Sequence, residues 1–203
     1  MSSSRLLLDV PQLVKLMRIQ KKYNIKEIYK KVLYSSDILE KCVLSRFYFK
    51  PQSTYIEKII KSNLEIEDPV DEISGDGHKN GINYEIKTSL HDKNCKFNFV
   101  QIRPDHNIDF YIFLGLNIFE KDDDYKCYLF KIPSNNVYDL VIKYGDYAHG
   151  TIKRNGIITK DNFKGRNKEY CLRPNPNSKK SSKSYKLFEE MLKFQTLYDK
   201  NLF

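Results

Sequence analysis

The dipeptide Asn80-Gly81 is the local feature that most constrains the fold of this chain. Both residue types tolerate positive φ, which the two central positions of a type I′ hairpin turn require. A turn at these residues pairs Lys79 with Ile82 and thereby fixes the register of both flanking strands. The sequence therefore predicts a β-hairpin in which "SGDGHK" precedes the turn and "INYEIKTSL" follows it.

This register brings three charged side chains together. It places Asp76 opposite Glu85, and Lys87 follows on the same face because side chains alternate between faces. The other face is expected to pack inward and carries Ile73, Tyr84, Ile86 and Thr88. Two adjacent carboxylates are costly unless a positive charge compensates them, and Mg²⁺ typically binds one or two carboxylates with water and phosphate oxygens. A metal site is thus one interpretation, in which the lysine assists an attacking water or offsets phosphate charge.

An exposed hairpin with cross-strand ion pairs is the alternative interpretation, because acids and lysines are common on solvated faces. The two glycines around Asp76 favour the first interpretation. Gly75 and Gly77 leave room for a ligand or another backbone to approach closely. The register also places Asp71 on the wrong face, which leaves Asp76 as the first acid.

The remaining patterns predict an α/β domain built on a central mixed β-sheet flanked by helices. We expect one domain with three parts: a mainly helical part at 1–64, a sheet core at 65–145, and a basic region with a C-terminal helix at 146–203. "PQSTYIEKIIKSNL" predicts a helix, and "IDFYIFLGLNIF" and "YKCYLFKIP" predict strands joined at 122–124. "SNNVYDLVIKYG" predicts a helix capped by Ser134 and ended by Gly145.

The charge distribution favours a polyanionic partner. The net charge is +9, and residues 151–203 hold 13 Lys and Arg against 5 Asp and Glu, whereas residues 1–150 are nearly balanced. A concentrated basic segment is typical of nucleic-acid binding. A lysine-rich, solubilising surface is the alternative interpretation.

Composition also limits the location of the protein. The apolar runs are too short to span a bilayer, and the N-terminus lacks a secretory signal pattern. Its cysteines are isolated and no Cys-x-x-Cys spacing occurs: Cys42, Cys95, Cys127 and Cys171. We therefore expect reduced thiols, no structural zinc site and a cytoplasmic location.

The hairpin resembles the signature of the PD-(D/E)XK nuclease superfamily. In that signature an acid at a strand end precedes Glu-x-Lys on the next strand, as in "SGDG" and "YEIKTS" here, with "SGD" in place of the literal Pro-Asp pair. "EIK" followed by a small polar residue is similar to type II restriction endonucleases. "FNFVQIRP", "IDFYIFLGLN" and "YAHGT" extend the resemblance over residues 55–175.

The resemblance implies a reaction and a set of site residues. Asp76 and Glu85 would bind Mg²⁺ with the backbone carbonyl of Ile86, and Lys87 would serve the attacking water. A further acid from a preceding helix is implied, for which Glu57 is the best-placed candidate, although a solvated helix glutamate is the alternative. The implied activity is sequence-specific hydrolysis of double-stranded DNA by metal-activated water. A homodimer would match the two-fold axis of a palindromic site.

Candidate DNA contacts lie after the catalytic strand and in the basic region. Gln101 suits adenine, whereas Arg103 suits guanine or phosphate or, equally, a salt bridge. His149 suits a groove contact or a local hydrogen bond. The remaining candidates are basic or hydroxyl residues expected mainly at phosphates: Thr151, Lys153, Arg154, Lys164, Arg166 and Arg173. Residues 173–184 are expected to be mobile without DNA.

Two alternatives to a restriction endonuclease remain open. One is a junction-resolving or repair nuclease of the same superfamily. The other is a non-catalytic DNA-binding protein, for which Asp76→Ala would leave DNA affinity intact.

Overall fold

The structure is a computed structural model of the chain. It describes residues 52–90, 96–117, 126–148, 156–165 and 168–196. Residues 1–51 of the part expected to be mainly helical, and the strand connection expected at 122–124, lie outside the described residues.

The described residues form four helices and seven strands. In chain order they are α1 (Gln52–Leu64), β1 (Gly77–Lys79), β2 (Ile82–Leu90), β3 (Phe99–Ile102), β4 (Phe110–Asn117), β5 (Lys126–Pro133), α2 (Ser134–Tyr144), β6 (Asp146–Tyr147), α3 (Lys160–Phe163), β7 (Tyr170–Leu172) and α4 (Lys183–Leu192). The predicted helix after Pro51 and the predicted strands at the hairpin and its two successors are therefore confirmed.

Two sheets organise these strands. The larger sheet has the order β1-β2-β4-β5, in which β2 and β4 are parallel and the other neighbours are antiparallel. The smaller sheet has the order β3-β7-β6 and is antiparallel. The protein is thus an α/β structure with a mixed sheet, as the sequence predicts.

The main core lies between the two sheets and under α2 and α4. Phe99 of β3 packs edge-on against Phe113 of β4, with ring centroids 4.9 Å apart. Tyr128 of β5 meets Phe188 of α4 in the same manner at 5.1 Å. Aromatic pairs in this geometry add to the free energy gained from burial. The core therefore fixes the smaller sheet over one face of the larger one.

The hairpin register is confirmed up to Gly77. Lys79 pairs with Ile82 and Gly77 with Tyr84, and Asn80 and Gly81 have φ of 53° and 77°. The expected pairing of Asp76 with Glu85 is wrong, because the ladder ends at Gly77. The Asp76 N–H instead donates to the Tyr84 carbonyl at 2.8 Å.

The two glycines before the turn accommodate other backbone segments. A Cβ at Gly75 would lie 2.6 Å from the Tyr84 carbonyl oxygen, and one at Gly77 would lie 2.3 Å from that of Glu67. The two glycines therefore allow other backbone segments to approach closely. A close approach of backbone was one of the two explanations that the sequence left open, and a ligand was the other. The expectation that Ile73 packs inward is wrong, since 50% of its surface is exposed.

One local expectation outside the hairpin is also corrected. Ser134 does not cap α2 with its side chain, because its hydroxyl donates to the Ile108 carbonyl. In the segment expected to be mobile, the Asn175 N–H donates to the Ser184 carbonyl at 3.1 Å. Ser182 then caps α4 by accepting from the Tyr185 N–H.

We expect Gly75→Ala to destabilise the fold far more than Gly81→Ala. Both residues have almost the same φ, 79° and 77°, so each alanine carries a similar cost of about 1–2 kcal/mol for the left-handed conformation. Only the Cβ at position 75 meets backbone, because nothing lies within 4 Å of one at position 81. Urea unfolding of the two variants measures the difference, and equal losses would contradict the close approach.

Candidate functional site

A cavity of about 240 Å³ opens where α1, the loop before β1, β2 and β3 meet. Its lining combines two carboxylates, a lysine and an amide with smaller groups: Glu57, Asp76, Ile86, Lys87, Thr88, Val100 and Gln101. Four of the residues predicted as catalytic or metal-binding thus lie together, although they come from three segments of the chain. Gln101, predicted to contact DNA, joins them.

Asp76 is fixed by the strand that carries the Glu-x-Lys pattern. One carboxylate oxygen, Oδ2, accepts a hydrogen bond from the Ile86 N–H at 2.7 Å. Since the Asp76 N–H is bonded to Tyr84, both its backbone and its side chain are tied to β2. This contact sets the carboxylate beside the backbone of Ile86, the residue whose carbonyl is the predicted backbone ligand.

Helix α1 also holds the Asp76 loop. Lys61 donates to the Asp76 carbonyl and to the Asp68 carboxylate, both at 2.7 Å. The Lys61 side chain is largely buried, whereas that of Asp68 is exposed. No local sequence pattern indicates this lysine, because its partners lie 7 and 15 residues away across a loop.

Glu85 and Lys87 form a buried ion pair next to the cavity. The lysine Nζ contacts Glu85 Oε1, and only 13% and 7% of the two side chains are exposed. Burial raises the pKa of Glu85, whereas the Lys87 ammonium lowers it. Glu85 therefore faces Lys87 and does not line the cavity.

Glu57 enters the cavity from α1. Burial raises its pKa from 4.5 to about 7, and the negative charge of Asp76 adds to this increase. Near neutral pH such a carboxyl group is half-protonated. Because other carboxylates lie nearby, its charged form needs a cation to stabilise it. The structure thus favours the site interpretation of Glu57 over a solvated helix glutamate.

The sequence patterns did not indicate His106, whose side chain lies close enough to Glu85 for an electrostatic interaction that favours the charged form of Glu85. The Nδ1 atom of His106 is buried without a hydrogen-bond partner among the described residues. Tyr111, which pairs with Glu85 across β2 and β4, has its pKa strongly raised by burial.

Apart from Gln101, the predicted DNA-contacting residues divide into three groups. Arg103 and Arg173 are held in ion pairs, with Glu169 at 2.6 Å and Asp146 at 3.1 Å. The salt-bridge interpretation of Arg103 is therefore the one observed. Lys164 is exposed at the end of α3. The others lie outside the described residues: His149, Thr151, Lys153, Arg154 and Arg166.

The cavity offers the oxygen donors that Mg²⁺ prefers, but no complete protein cage. Within the described parts of the chain, no group of three or more His, Cys, Asp or Glu side chains could hold a metal ion. Mg²⁺ usually keeps several waters and binds through one or two carboxylates plus substrate phosphates. Glu57, Asp76 and the neighbouring Ile86 peptide fit that mode of binding.

Comparison of the chain with models of protein families, with curated proteins and with solved structures found no match. Among the helices of the described residues, none is long and apolar enough to cross a membrane. The interpretation of the site therefore depends on its own geometry.

We expect Glu57→Gln to stabilise the protein increasingly as the pH rises. The raised pKa means that the folded state binds the Glu57 proton more tightly than the unfolded chain does. The wild type therefore loses stability between pH 4.5 and about 7, and the uncharged variant does not. Thermal unfolding across this range measures the gap, with the exposed Glu189→Gln as control. A gap that does not change with pH would contradict the assignment.

We expect Lys87→Met to destabilise the fold by about 3–5 kcal/mol, because it leaves the Glu85 carboxylate buried without its partner. The loss should shrink at low pH, where Glu85 can take up a proton. The double variant Glu85→Gln/Lys87→Met should recover most of the stability. Lys193→Met removes an exposed pair with Glu190 and should cost less than about 1 kcal/mol. Similar losses in both lysine variants would argue against a buried pair.

Proposed function

We propose that this protein is a Mg²⁺-dependent, sequence-specific endonuclease for double-stranded DNA, of the PD-(D/E)XK type found in restriction enzymes. The observation that carries this proposal is the cavity that joins Asp76, Ile86 and Lys87 with Glu57 from α1. The sequence resemblance implies a site with Asp76, Ile86 and Lys87 and offers Glu57 as a candidate further acid, and an exposed salt-bridge hairpin would not produce this grouping.

In this proposal the carboxylates provide the metal site. Asp76, Glu85 and the Ile86 carbonyl would hold Mg²⁺, with Glu57 as a further acid. When bound, Mg²⁺ would stabilise charge on the scissile phosphate and favour deprotonation of the attacking water. Because Glu57 has a pKa of about 7, it must release a proton before it can contribute a full negative charge.

In this proposal Lys87 contacts Glu85 first and then the attacking water or the phosphate. Its contact with Glu85 keeps the buried carboxylate paired when no cation is present. Glu85 can join the donor set only by exchanging this contact, and the released ammonium then lies at the cavity wall. There it can bind the attacking water or a phosphate oxygen as water adds to phosphorus and one ester bond breaks.

The basic surface supports the choice of substrate. The whole chain carries a net charge of +9, and exposed lysines lie in the loop before α4 and in its first turn: Lys179, Lys180, Lys183 and Lys186. We propose that these lysines and Lys164 contact phosphates. We also propose a homodimer, which would cut both strands of a symmetric site, and a cytoplasmic location, where DNA is accessible and Cys171 stays reduced.

We expect Asp76→Asn to reduce DNA cleavage by at least about 100-fold, because it removes one charge from a metal site worth several kcal/mol to the transition state. The amide oxygen can still accept from the Ile86 N–H, so the fold is retained. The measurement is digestion of plasmid and phage DNA in Mg²⁺ and in EDTA.

Asp109→Asn is the matched control for this experiment. Asp109 Oδ2 also accepts from a β2 backbone amide, that of Asn83, at 2.8 Å, but Asp109 does not line the cavity. We expect it to cut normally and to give discrete bands only with Mg²⁺. Cleavage of four-way junctions alone would indicate a resolvase, and folded wild-type protein that cuts neither substrate would refute a nuclease.

A further inference from the structure

Gln101 has an unusual backbone conformation for its position. Among the described residues, three other than glycine have positive φ: Glu65, Asn80 and Gln101, at 58°, 53° and 59°. Glu65 directly follows α1 and Asn80 lies in the hairpin turn, where this conformation is ordinary. Gln101 lies inside strand β3, where a left-handed residue is rare.

A bulge in β3 produces this conformation. Phe99 pairs with Leu172 and Ile102 with Tyr170, so β3 advances three residues while β7 advances two. The extra residue allows Phe99 and Ile102, which a regular strand would place on opposite faces, both to be fully buried. Bulges often re-aim a side chain next to an active site.

Core packing alone does not explain a glutamine at this point. A glycine would adopt φ of 59° with less strain, and it would equally allow the two flanking residues to enter the core. Gln101 is exposed and lines the cavity beside Glu57, Asp76 and Lys87. The strained position therefore holds a long amide side chain at the candidate site.

We infer that the Gln101 side-chain amide donates a hydrogen bond to a non-bridging oxygen of the phosphodiester that occupies this cavity. This inference depends on the proposed function and replaces the expectation that Gln101 reads an adenine edge. The carboxylates of Glu57 and Asp76 repel a phosphate, and Lys87 stays paired with Glu85 until a cation releases it. A neutral donor can bind the phosphate without also pairing with the carboxylates that would hold the cation.

Gln101→Gly tests the inference, because it removes the amide and relieves the strain. We expect cleavage to fall by about 100-fold, as for the loss of one donor to a developing anion. The thermal midpoint should stay equal or rise, and the affinity for Mg²⁺ alone, measured by calorimetry, should stay the same. Asn80→Gly relieves a similar φ of 53° in the exposed turn and should leave cleavage unchanged.

A stereospecific readout identifies the contact. Once the cut is mapped, DNA with Rp or Sp phosphorothioate at that bond replaces one non-bridging oxygen by sulfur, a poorer acceptor. The wild type should discriminate between the two isomers more strongly than Gln101→Gly does. Normal cleavage by Gln101→Gly, or unchanged discrimination, overturns the inference while the nuclease proposal stands.

Failure of the proposed function is distinguished by the wild type. If folded wild-type protein cuts no DNA, the contact is judged by the affinity for a duplex oligonucleotide in Mg²⁺. Weaker binding by Gln101→Gly than by Asn80→Gly would then support a phosphate contact, and equal affinity would overturn it.

Discussion

The burial of strand β2 on both of its faces is the constraint on which the site depends. β2 pairs with β1 on one side and with seven residues of β4 on the other. Tyr84, Glu85 and Ile86, which alternate between the faces, are all less than 9% exposed. A charged residue on such a strand is costly unless it is paired. The ion pair of Glu85 and Lys87 is therefore required by the fold as well as suited to chemistry, and its desolvation makes it sensitive to any nearby cation.

The sequence predicted the local part of this arrangement correctly. The Asn80-Gly81 turn fixed the register through Gly77, because a two-residue hairpin is determined by its own backbone. The register beyond Gly77 depends on tertiary contacts. Glu67 bonds to His78 on one side, and the Ile86 N–H binds the Asp76 side chain on the other. Asp76 nevertheless lines the cavity, because its side chain bends back towards the strand that the register had placed beside it.

Contacts between distant segments could not be predicted in the same way. Glu57 is placed by the packing of α1 against β2, and a helical pattern alone does not say which polar residue faces a site. The bulge at Gln101 depends on pairing with β7, about 70 residues later in the chain, and no local signal in "NFVQIRP" indicates it. The ion pair of Arg103 with Glu169 spans 66 residues. In each case the deciding partner lies on another element, where pattern and propensity carry no information.

Two of the four arginines expected at DNA, Arg103 and Arg173, form ion pairs that stabilise the sheet bordering the cavity. Arg103 directly follows β3, and its partner Glu169 directly precedes β7. Their ion pair therefore lies next to the pairing of Ile102 with Tyr170, at one end of the bulge. Arg173 bonds both Asn98 and Asp146, which links the other end of β3 to β6. Because its guanidinium group already binds two partners, Arg173 is less able to form hydrogen bonds to the edge of a base. Arg103 and Arg173 therefore affect the candidate site indirectly, because their contacts limit how far β3, the strand that carries Gln101, can shift.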